Sequence, residues 1–259
     1  MAAIIIPARW GSTRFPGKPL ALLAGKPLVL HVWERCRRAR LASRIIVATD
    51  DFRIAEVAFD AGAEVAMTKP SHPSGTDRVA EVASRLSRES IIVNVQGDEP
   101  FTEPSLIDRL IRTLQKHREI DMATAANPIL EAEEFSNPNV VKVVRDREGR
   151  ALYFSRAPIP NDRDHHGHSL ALRHHGIYAY RRRFLLDFVS WKPTPLESSE
   201  KLEQLRALEH GRRIHVLIAK HSPPGIDTPE QALAAENHLA KSRRPSALPA
   251  LTRRRPASK

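Results

Sequence analysis

Short apolar segments and amphipathic helical segments alternate through the first half of this 259-residue chain. Residues 44–49 and 91–95 are almost continuously apolar, which is typical of parallel strands that are buried on both faces. Further strands are predicted at residues 3–6 and 65–67, and helices at residues 28–40, 52–61, 79–86 and 104–117. This alternation predicts an α/β fold with a mostly parallel, doubly wound sheet.

The second half of the chain is less regular. Residues 140–144 and 151–155 are two apolar runs around a short charged turn, which predicts a β-hairpin. The pattern also predicts a helix through residues 195–208 and strands at residues 122–129, 176–180 and 213–219. We therefore expect one domain over residues 1–240, with one half at about 1–125 and a smaller, hairpin-containing half at about 126–240.

The loop that follows the first strand combines cationic side chains with glycines. Arg9, Arg14 and Lys18 share this loop with Gly11 and Gly17. Ligands of open α/β sheets bind beyond the carboxyl ends of strands, glycine lets backbone N–H groups approach phosphate oxygens, and arginine offers a planar fork of donors. The loop lacks the Walker A spacing, so a polyphosphate would be bound by a different geometry. A surface loop with solvated cations is the alternative.

A second polar segment follows the strand predicted at residues 91–95. Asp98, fixed near the end of a buried strand, can offer a hard oxygen ligand to Mg²⁺ that also contacts phosphates. Asp50 and Glu99 are competing candidates for this role. Gln96 can hydrogen-bond a base or a sugar, or it can satisfy its own backbone in a turn.

The net charge of +11 would ordinarily indicate a nucleic-acid or anionic-surface partner. Seven of the 41 cations, however, lie in residues 241–259, where no acidic residue occurs, so that 34 cations face 30 acids elsewhere. We expect these residues to form a disordered basic tail. Because aromatic residues make up only 5% of the chain, we expect no nucleic-acid partner, although a nucleic-acid-binding protein remains the second functional class.

The sequence shows no pattern of a membrane span, a signal peptide or a cysteine- or histidine-based site. No apolar run approaches the roughly 18 residues of a membrane span, and the first residues lack a signal-peptide pattern, so we expect a soluble, cytoplasmic protein. Cys36 is the single cysteine and is predicted to be a packing residue. Residues 161–168 contain three histidines, but without a helical histidine pair or cysteines they are interpreted as a solvated loop.

Several motifs occur in the order found in a known family. The first, which begins at Pro7, is Pro-Ala-Arg-x-x-Ser-Thr-Arg-x-Pro-Gly-Lys-Pro-Leu. It is followed by GKPL (25–28), IIVATD (45–50), SGTDR (74–78), VNVQGDEP (93–100), YFSR (153–156), HGIY (175–178), LEQLR (202–206) and GIDTPE (225–230). The chain therefore resembles the sugar-activating cytidylyltransferases, and within them those that act on 3-deoxy-manno-octulosonate (Kdo).

The resemblance implies a Rossmann-like sheet of the nucleotide-diphospho-sugar transferase type. Its first half would bind nucleotide, and its second half would bind the sugar acid and the partner subunit of a homodimer. The implied reaction transfers CMP from CTP to the anomeric hydroxyl of Kdo, with Mg²⁺ as cofactor, for lipopolysaccharide biosynthesis. No general base is evident among the motif residues, so lowering of the hydroxyl pKa by the metal is the hypothesis for its activation.

The family's functional residues are carried over by motif position. The nucleotide-binding positions are Pro7, Ala8, Arg9, Arg14, Lys18, Ser74, Gly75, Arg78 and Gln96. The sugar-acid positions are Gln96, Arg156, His175, Tyr178, Glu203 and Gln204. The metal ligands are Asp98 and Asp227, and the catalytic set is Arg9, Lys18, Asp98 and Asp227.

Ordinary structural roles compete with several of these assignments. Ser74 or Thr76 can cap the helix that follows, and Asp227 can cap the helix entered at Pro229. An arginine such as Arg156 is more often the partner in a surface ion pair. The sugar acid also stays open, because 8-amino-8-deoxy-Kdo or sialic acid would suit the same motifs.

Overall fold

The structure is a computed structural model that describes residues 1–11, 15–161, 163, 170–220, 225–226 and 228–243, with only the backbone described for 237–243. Its strands are β1 (Ala2–Ala8), β2 (Leu22–Leu23), β3 (Lys26–Pro27), β4 (Arg44–Thr49), β5 (Glu64–Met67), β6 (Ile91–Asn94), β7 (Met122–Pro128), β8 (Lys142–Arg145), β9 (Ala151–Ser155), β10 (Leu172–Arg181) and β11 (Ile214–Ile218). Its helices are α1 (Leu28–Cys36), α2 (Phe52–Asp60), α3 (Gly75–Ser84), α4 (Pro104–Lys116), α5 (Ala132–Ser136), α6 (Arg182–Ser190), α7 (Pro195–Glu200), α8 (Gln204–Glu209) and α9 (Pro229–Arg243).

One sheet joins the two halves of the chain. Its main strand order is β11-β7-β10-β6-β1-β4-β5, and the β8–β9 hairpin attaches to β10. β1, β4, β5 and β6 pair in parallel, and so do β7 and β11, whereas β10 runs antiparallel to both of its neighbours β6 and β7. The prediction of a mostly parallel α/β sheet is confirmed, with β10 as the reversed strand.

Helices cover both faces of this sheet, as a doubly wound fold requires. Successive residues of β1 point to opposite faces, so Ile4 and Ile6 join the core beneath α1, α2 and α4, whereas Ala3 and Ile5 join the core beneath α3, α6 and α8. All seven residues of β1 are buried. β1 is therefore the central strand, and the loop that follows it emerges from the middle of the carboxyl edge.

A third, smaller core links the two ends of the chain. Leu23 and Leu28 pack there with Phe101, Ile226 and Ala235. The backbone N–H of Ala24 also donates to Oε1 of Glu236 at 2.7 Å. Helix α9 is thereby fixed over the β2–β3 hairpin that follows the N-terminal loop.

Some predicted element boundaries were wrong. The helix predicted at residues 28–40 ends at Cys36, and the helix predicted from residue 79 begins already at Gly75, because Ser74 caps it. The helix predicted through residues 195–208 is two helices, since Lys201 adopts a left-handed conformation (φ 54°) between α7 and α8. Helix α9, entered at Pro229 as predicted, continues to Arg243.

No helix in the described part of the chain combines the length and the apolar character that crossing a membrane requires.

Candidate functional site

The candidate site lies where parallel strands β1, β4 and β6 end. Because parallel strands end at the same edge, the segments that follow Ala8, Thr49 and Asn94 meet there. These segments carry the N-terminal loop, Asp50 and the sequence from Gln96 to Glu99. The fold therefore brings together the first-strand loop and the Asp98 segment, as the sequence predicts.

Lys18 and Asp98 form the central contact of this site. Lys18 Nζ lies 2.5 Å from Asp98 Oδ2, and both side chains are largely buried. Lys18 opens a short 3₁₀ helix directly after Gly17, whose φ of +69° and approach to Trp10 suit only glycine: an added Cβ would lie 2.9 Å from the indole. The loop thus aims a lysine at the predicted metal ligand.

Backbone packing brings three other predicted nucleotide-binding positions close to this pair. A Cβ on Gly97 would lie 2.8 Å from the carbonyl oxygen of Pro7, so only glycine allows the two strand ends to approach. A Cβ on Gly75 would lie 3.4 Å from Gln96 Oε1 and 3.5 Å from Pro7 Cγ. Pro7, Gly75 and Gln96 therefore line one region. Gln96 donates to Asn94 Oδ1 at 3.1 Å.

Arg9 is an exposed cation at the start of the N-terminal loop. The Arg9 side chain is exposed, and within the described parts of the chain it has no hydrogen-bond or ion-pair partner. It is available to a ligand at the loop. Arg14 lies outside the described residues.

The loop before α3 combines a helix cap with a buried carboxylate. Ser74 Oγ accepts from the backbone N–H groups of Thr76 (3.1 Å) and Asp77 (3.2 Å), so the capping interpretation of Ser74 is correct. Thr76 Oγ1 donates to Glu203 Oε2 at 2.6 Å, and Ser74 Oγ lies 3.1 Å from Glu203 Oε1. Burial raises the pKa of Glu203, which these hydroxyls partly offset. A predicted sugar-acid residue thus contacts the predicted nucleotide loop.

Arg78 is buried beneath that loop. Its guanidinium donates to Thr68 Oγ1 and, at 2.8 Å, to Asp50 Oδ2, and its side chain is 2% exposed. Arg78 therefore forms an ion pair that joins α3 to the end of β4. Asp50, the competing metal candidate, is the partner in this pair.

His175 and Tyr178 flank an irregularity in β10. The pairing register of β10 with β7 shifts between these two residues. Gly176 faces Gln96, since an ideal Cβ on Gly176 would lie 3.8 Å from Gln96 Cγ. His175 Nε2 lies 2.6 Å from Asn127 Oδ1. Gln96, His175, Gly176 and Glu99 also line a common pocket. The bulge therefore turns this part of β10 toward the strand-end site.

Two aromatic groups behind His175 are electrically neutral. Burial, and then the nearby charge of His175, lowers the pKa of His174 to about 3, while its Nε2 contacts Thr124 Oγ1 at 2.9 Å. Burial, and then the Glu203 carboxylate, raises the pKa of Tyr178 far above its usual value. The two rings contact each other with centroids 5.3 Å apart. Both remain uncharged near neutral pH.

Arg156 and Gln204 are held within the second half of the chain. The Arg156 guanidinium donates to the carbonyl oxygens of Glu200 (2.8 Å) and Pro138 (3.0 Å), and its backbone N–H donates to Glu200 Oε2 at 2.9 Å. The surface ion-pair alternative is therefore not what the structure shows, because the guanidinium contacts backbone carbonyls. Gln204 is buried at the start of α8.

The predicted metal site is only partly described. Asp227 lies outside the described residues, and those that are described contain no group of three or more His, Cys, Asp or Glu side chains suited to a metal ion. The preceding residue, Ile226, donates its N–H to the Asp98 carbonyl at 2.9 Å, and an ideal Cβ on Gly225 would lie 3.1 Å from Glu99 Oε1. The 225–226 segment therefore passes beside Asp98.

Sequence reasoning missed several residues around this site. Asn127 contacts His175, Thr124 contacts His174, and Glu200 fixes Ser155 and Arg156. Thr124 and Asn127 carried a sequence signal, as buried polar residues in the apolar strand β7, whereas Glu200, at the end of helix α7, carried none. Thr228, the neighbour of the capping candidate Asp227, caps α9, since its Oγ1 accepts from Gln231 N at 3.3 Å.

Comparison with known proteins decides the family of the chain. Residues 3–214 match the cytidylyltransferase family. The chain belongs to this family. The cytidylyltransferase is 54% identical over 235 residues to 3-deoxy-manno-octulosonate cytidylyltransferase of Geobacter sulfurreducens, covering 87% of this chain and 94% of the relative. It is 51% identical over 251 residues to the protein of that name from Chromohalobacter salexigens, covering 93% and 95%.

A solved structure also resembles this cytidylyltransferase. The structure of CMP:2-keto-3-deoxy-manno-octonic acid synthetase in complex with CTP superposes with a TM-score of 0.89 at 38% identity, covering 93% of this chain and 99% of that chain. The resemblance read from the motifs is therefore confirmed, as is the enzyme class of the cytidylyltransferase.

Proposed function

We propose that this cytidylyltransferase transfers CMP from CTP to the anomeric hydroxyl of Kdo and releases pyrophosphate. The product would be CMP-Kdo, the activated sugar for lipopolysaccharide biosynthesis. The observation that carries the proposal is the contact of Lys18 with Asp98 beside Pro7, Gly75 and Gln96. A cation, a carboxylate and a backbone-lined recess thus meet at one strand end, and relatives of the same name cover almost the whole chain.

The nucleotide half of the site supplies charge and shape. We propose that Lys18, Arg9 and Arg14 bind the triphosphate and neutralise the charge that develops on the departing pyrophosphate. The base would lie against the loop at Ser74 and Gly75, where short side chains allow close approach. Arg78 would act from below, by its buried ion pair with Asp50, and hold that loop in place.

The sugar-acid half supplies hydrogen-bonding groups from different elements. Gln96, His175 and Tyr178 lie on β10 or next to it, and Glu203 reaches the same region from the start of α8. We propose that these side chains contact the hydroxyl groups of the sugar acid. Gln204, which is buried, and Arg156, which is held by backbone carbonyls, would complete this half of the site.

A magnesium ion fits the donors at Asp98. Mg²⁺ takes oxygen ligands, usually one or two carboxylates together with substrate phosphates. Asp98 offers such a carboxylate, and the segment that leads to Asp227 is hydrogen-bonded to the Asp98 backbone. We propose that Asp98 and Asp227 hold the ion. When bound, it would lower the pKa of the sugar hydroxyl and offset phosphate charge.

The reaction itself is an in-line displacement at the α-phosphorus. The anomeric oxygen of Kdo forms a bond to the α-phosphorus, the bond to the oxygen bridging to the β-phosphate breaks, and the hydroxyl proton leaves to solvent. Lys18 and the loop arginines stay with the phosphates throughout, so the departing pyrophosphate remains paired with cations. No covalent enzyme intermediate is required.

The remaining features of the proposal concern assembly and location. We propose a homodimer formed by the second half of the chain, and a cytoplasmic location. Leu130, Leu152 and Leu170 of this half are 61–78% exposed, which supports a partner surface. The molar mass in solution, measured by light scattering, tests the dimer, and a monomeric mass at micromolar concentration would contradict it.

The experiment that tests the function measures pyrophosphate release with Mg²⁺. Each of CTP, UTP, ATP and GTP is combined with Kdo, 8-amino-8-deoxy-Kdo or N-acetylneuraminate. We expect pyrophosphate release only from the combination of CTP with Kdo. Release with CTP and another acid would keep the reaction and replace the sugar, whereas no release from folded protein with any pair would overturn the proposed function.

A further inference from the structure

A basic cleft lies between the C-terminal end of α1 and the first turns of α4. It has a volume of about 700 Å³, within the range of small-molecule sites. Two acidic side chains, Glu103 and Asp108, also line it. Its cationic side chains are Arg35, Arg38, Arg40, Arg109, Arg112 and Lys220.

Within the part of the chain that the structure describes, the positive charges of this basic cleft exceed the negative ones. Asp108 is engaged by backbone N–H groups, since its Oδ1 accepts from Arg40 N and Leu41 N, both at 2.9 Å. Among the residues that the structure describes, none of the six cations forms an ion pair with a carboxylate. The six cations outnumber the two carboxylates, Glu103 and Asp108, and such an excess of like charge destabilises the folded state. A bound anion would remove this repulsion.

The basic cleft is also preformed. The Asp108 contacts fix the turn at Arg40 and Leu41 to α4. Arg109 donates from Nη2 to the carbonyl oxygen of Ile218 at 2.8 Å, which fixes the end of β11 to the same helix. On the same helix, α4, Leu110 and Ile111 are fully buried in the core. The cationic side chains are therefore presented by three elements whose backbones are held together, so little ordering is needed when a ligand binds.

The lining selects the chemistry of the ligand. Arginine recognises phosphate oxygens through two parallel N–H donors, and five of the six cations are arginines. The described lining contains no aromatic side chain, which nucleic-acid bases need for stacking. Glu103 and Lys220 also line the smaller pocket that contains Gln96 and His175, so the basic cleft adjoins the candidate site.

We propose that the basic cleft is a second anion-binding site, which takes an inorganic oligophosphate. Pyrophosphate, the product of the proposed reaction, is the expected physiological occupant. That identity rests on the proposed function, whereas oligophosphate binding by the basic cleft does not.

The test is a calorimetric titration of the full-length protein with pyrophosphate, in metal-free buffer at physiological ionic strength. The wild-type protein is expected to show two sites. Arg38→Glu combined with Arg112→Glu should weaken one site by about tenfold or more, because charge-assisted hydrogen bonds are replaced by repulsion. Lys18→Met should remove only the other site. Both arginines are exposed, so the double variant should fold and keep its turnover.

A matched control is Arg183→Glu. This exposed arginine lies on α6, which packs on the opposite face of the sheet. The control should bind pyrophosphate as the wild type does. An unchanged titration of the double variant, or an equal loss in the control, would overturn the proposal. If the double variant does not fold, Arg38→Gln with Arg112→Gln makes the same comparison.

Two further arms separate the alternatives. Tripolyphosphate should compete with pyrophosphate at the basic cleft. If a single-stranded RNA binds more tightly than pyrophosphate, and if the double variant loses this RNA binding, the basic cleft is a nucleic-acid site instead. If no nucleotide and sugar acid pair releases pyrophosphate but the two sites are still titrated, the proposed function fails and the second anion site stands.

Discussion

Lys18 and Asp98 neutralise each other in the protein alone. The proposed mechanism therefore requires this contact to be exchanged on ligand binding, with Lys18 moving to phosphate oxygens and Asp98 becoming available to a cation. The two residues are 80 positions apart in the chain, and the adjacent Gly17 and Gly97 allow the close packing around them. The pair thus keeps two opposite charges ready while the site is empty of substrate.

The variant Asp98→Asn separates affinity from turnover. We expect its rate of pyrophosphate release to fall by about 10²–10³-fold, because an amide is a poor ligand for a hard cation. CTP affinity should change far less, since Lys18 and the loop remain. Steady-state rates and equilibrium CTP titration check this, with Asp187→Asn on the exposed side of α6 as control. Near-normal turnover would contradict the role of Asp98.

His174 makes stability depend on pH. Its pKa is about 3 in the folded protein and 6.5 in the unfolded chain, so the unfolded chain binds an extra proton between these values. The contribution of His174 to stability is therefore complete above pH 6.5 and is lost as the pH falls, by about 3 kcal/mol at pH 4.

The variant His174→Gln tests this dependence. Denaturant unfolding between pH 4 and pH 7 should give a shallower pH slope than in the wild type, because glutamine does not titrate. His210→Gln, at an exposed position, should retain the wild-type slope. Equal slopes for the wild type and His174→Gln would show that His174 is not a neutral buried group.

At the scale of elements, Lys142 fixes the β8–β9 hairpin. Its buried Nζ donates to the carbonyl oxygens of Asn137 (2.9 Å), Val140 (2.7 Å) and Arg156 (2.7 Å). Burial, and then the charge of Arg156, lowers the pKa of Lys142. One side chain therefore satisfies three carbonyls of two segments that lead into and out of the hairpin.

Removing this donor should loosen the hairpin. Lys142→Met is expected to lower the free energy of unfolding by about 1–3 kcal/mol, because buried carbonyls lose their partner. Urea denaturation measures the loss. Lys192→Met, which changes an exposed lysine, should be within about 0.5 kcal/mol of the wild type. A stable Lys142→Met variant would mean that water replaces the ammonium without cost.

Elements with a strong local signal could be predicted from the sequence. Strand β4 has the predicted bounds, Arg44–Thr49, because an apolar run buried in a parallel sheet is unambiguous. The break between α7 and α8 could not be predicted, since Lys201 occupies a left-handed position that usually holds glycine or asparagine. Helix α6 was also missed, because three consecutive arginines hide the apolar face of Phe184, Leu185 and Phe188.

The candidate site also has features that could be predicted from the sequence and features that could not. The Lys18 loop and Asp98 follow apolar strands, so their meeting at one edge could be predicted from strand order alone. The contact of Glu203 with Ser74 and Thr76 could not, because it joins residues far apart in the chain through tertiary packing. For the same reason, the motif at residues 74–78 could not show that Arg78 is buried against Asp50.

At the scale of the whole molecule, residues 244–259 should be dispensable for catalysis. The contact that fixes α9 to the N-terminal half, from Glu236 to Ala24, lies before this segment. We expect truncation after Arg243 to leave the turnover number and the Michaelis constant for CTP unchanged within about twofold. Steady-state kinetics of the truncated and full-length chains test this, and a larger loss would place the segment in the catalytic unit.

The small core between Leu23, Leu28, Phe101, Ile226 and Ala235 has a consequence for synthesis of the chain. The N-terminal loop emerges from the ribosome first, but its hydrophobic cover arrives only with the residues at the end of the domain. A nascent chain that already contains the central strands thus still presents Leu23 and Leu28 to solvent. A chain cut short before Ile226 would therefore lack part of the core that covers the β2–β3 hairpin beside the N-terminal loop.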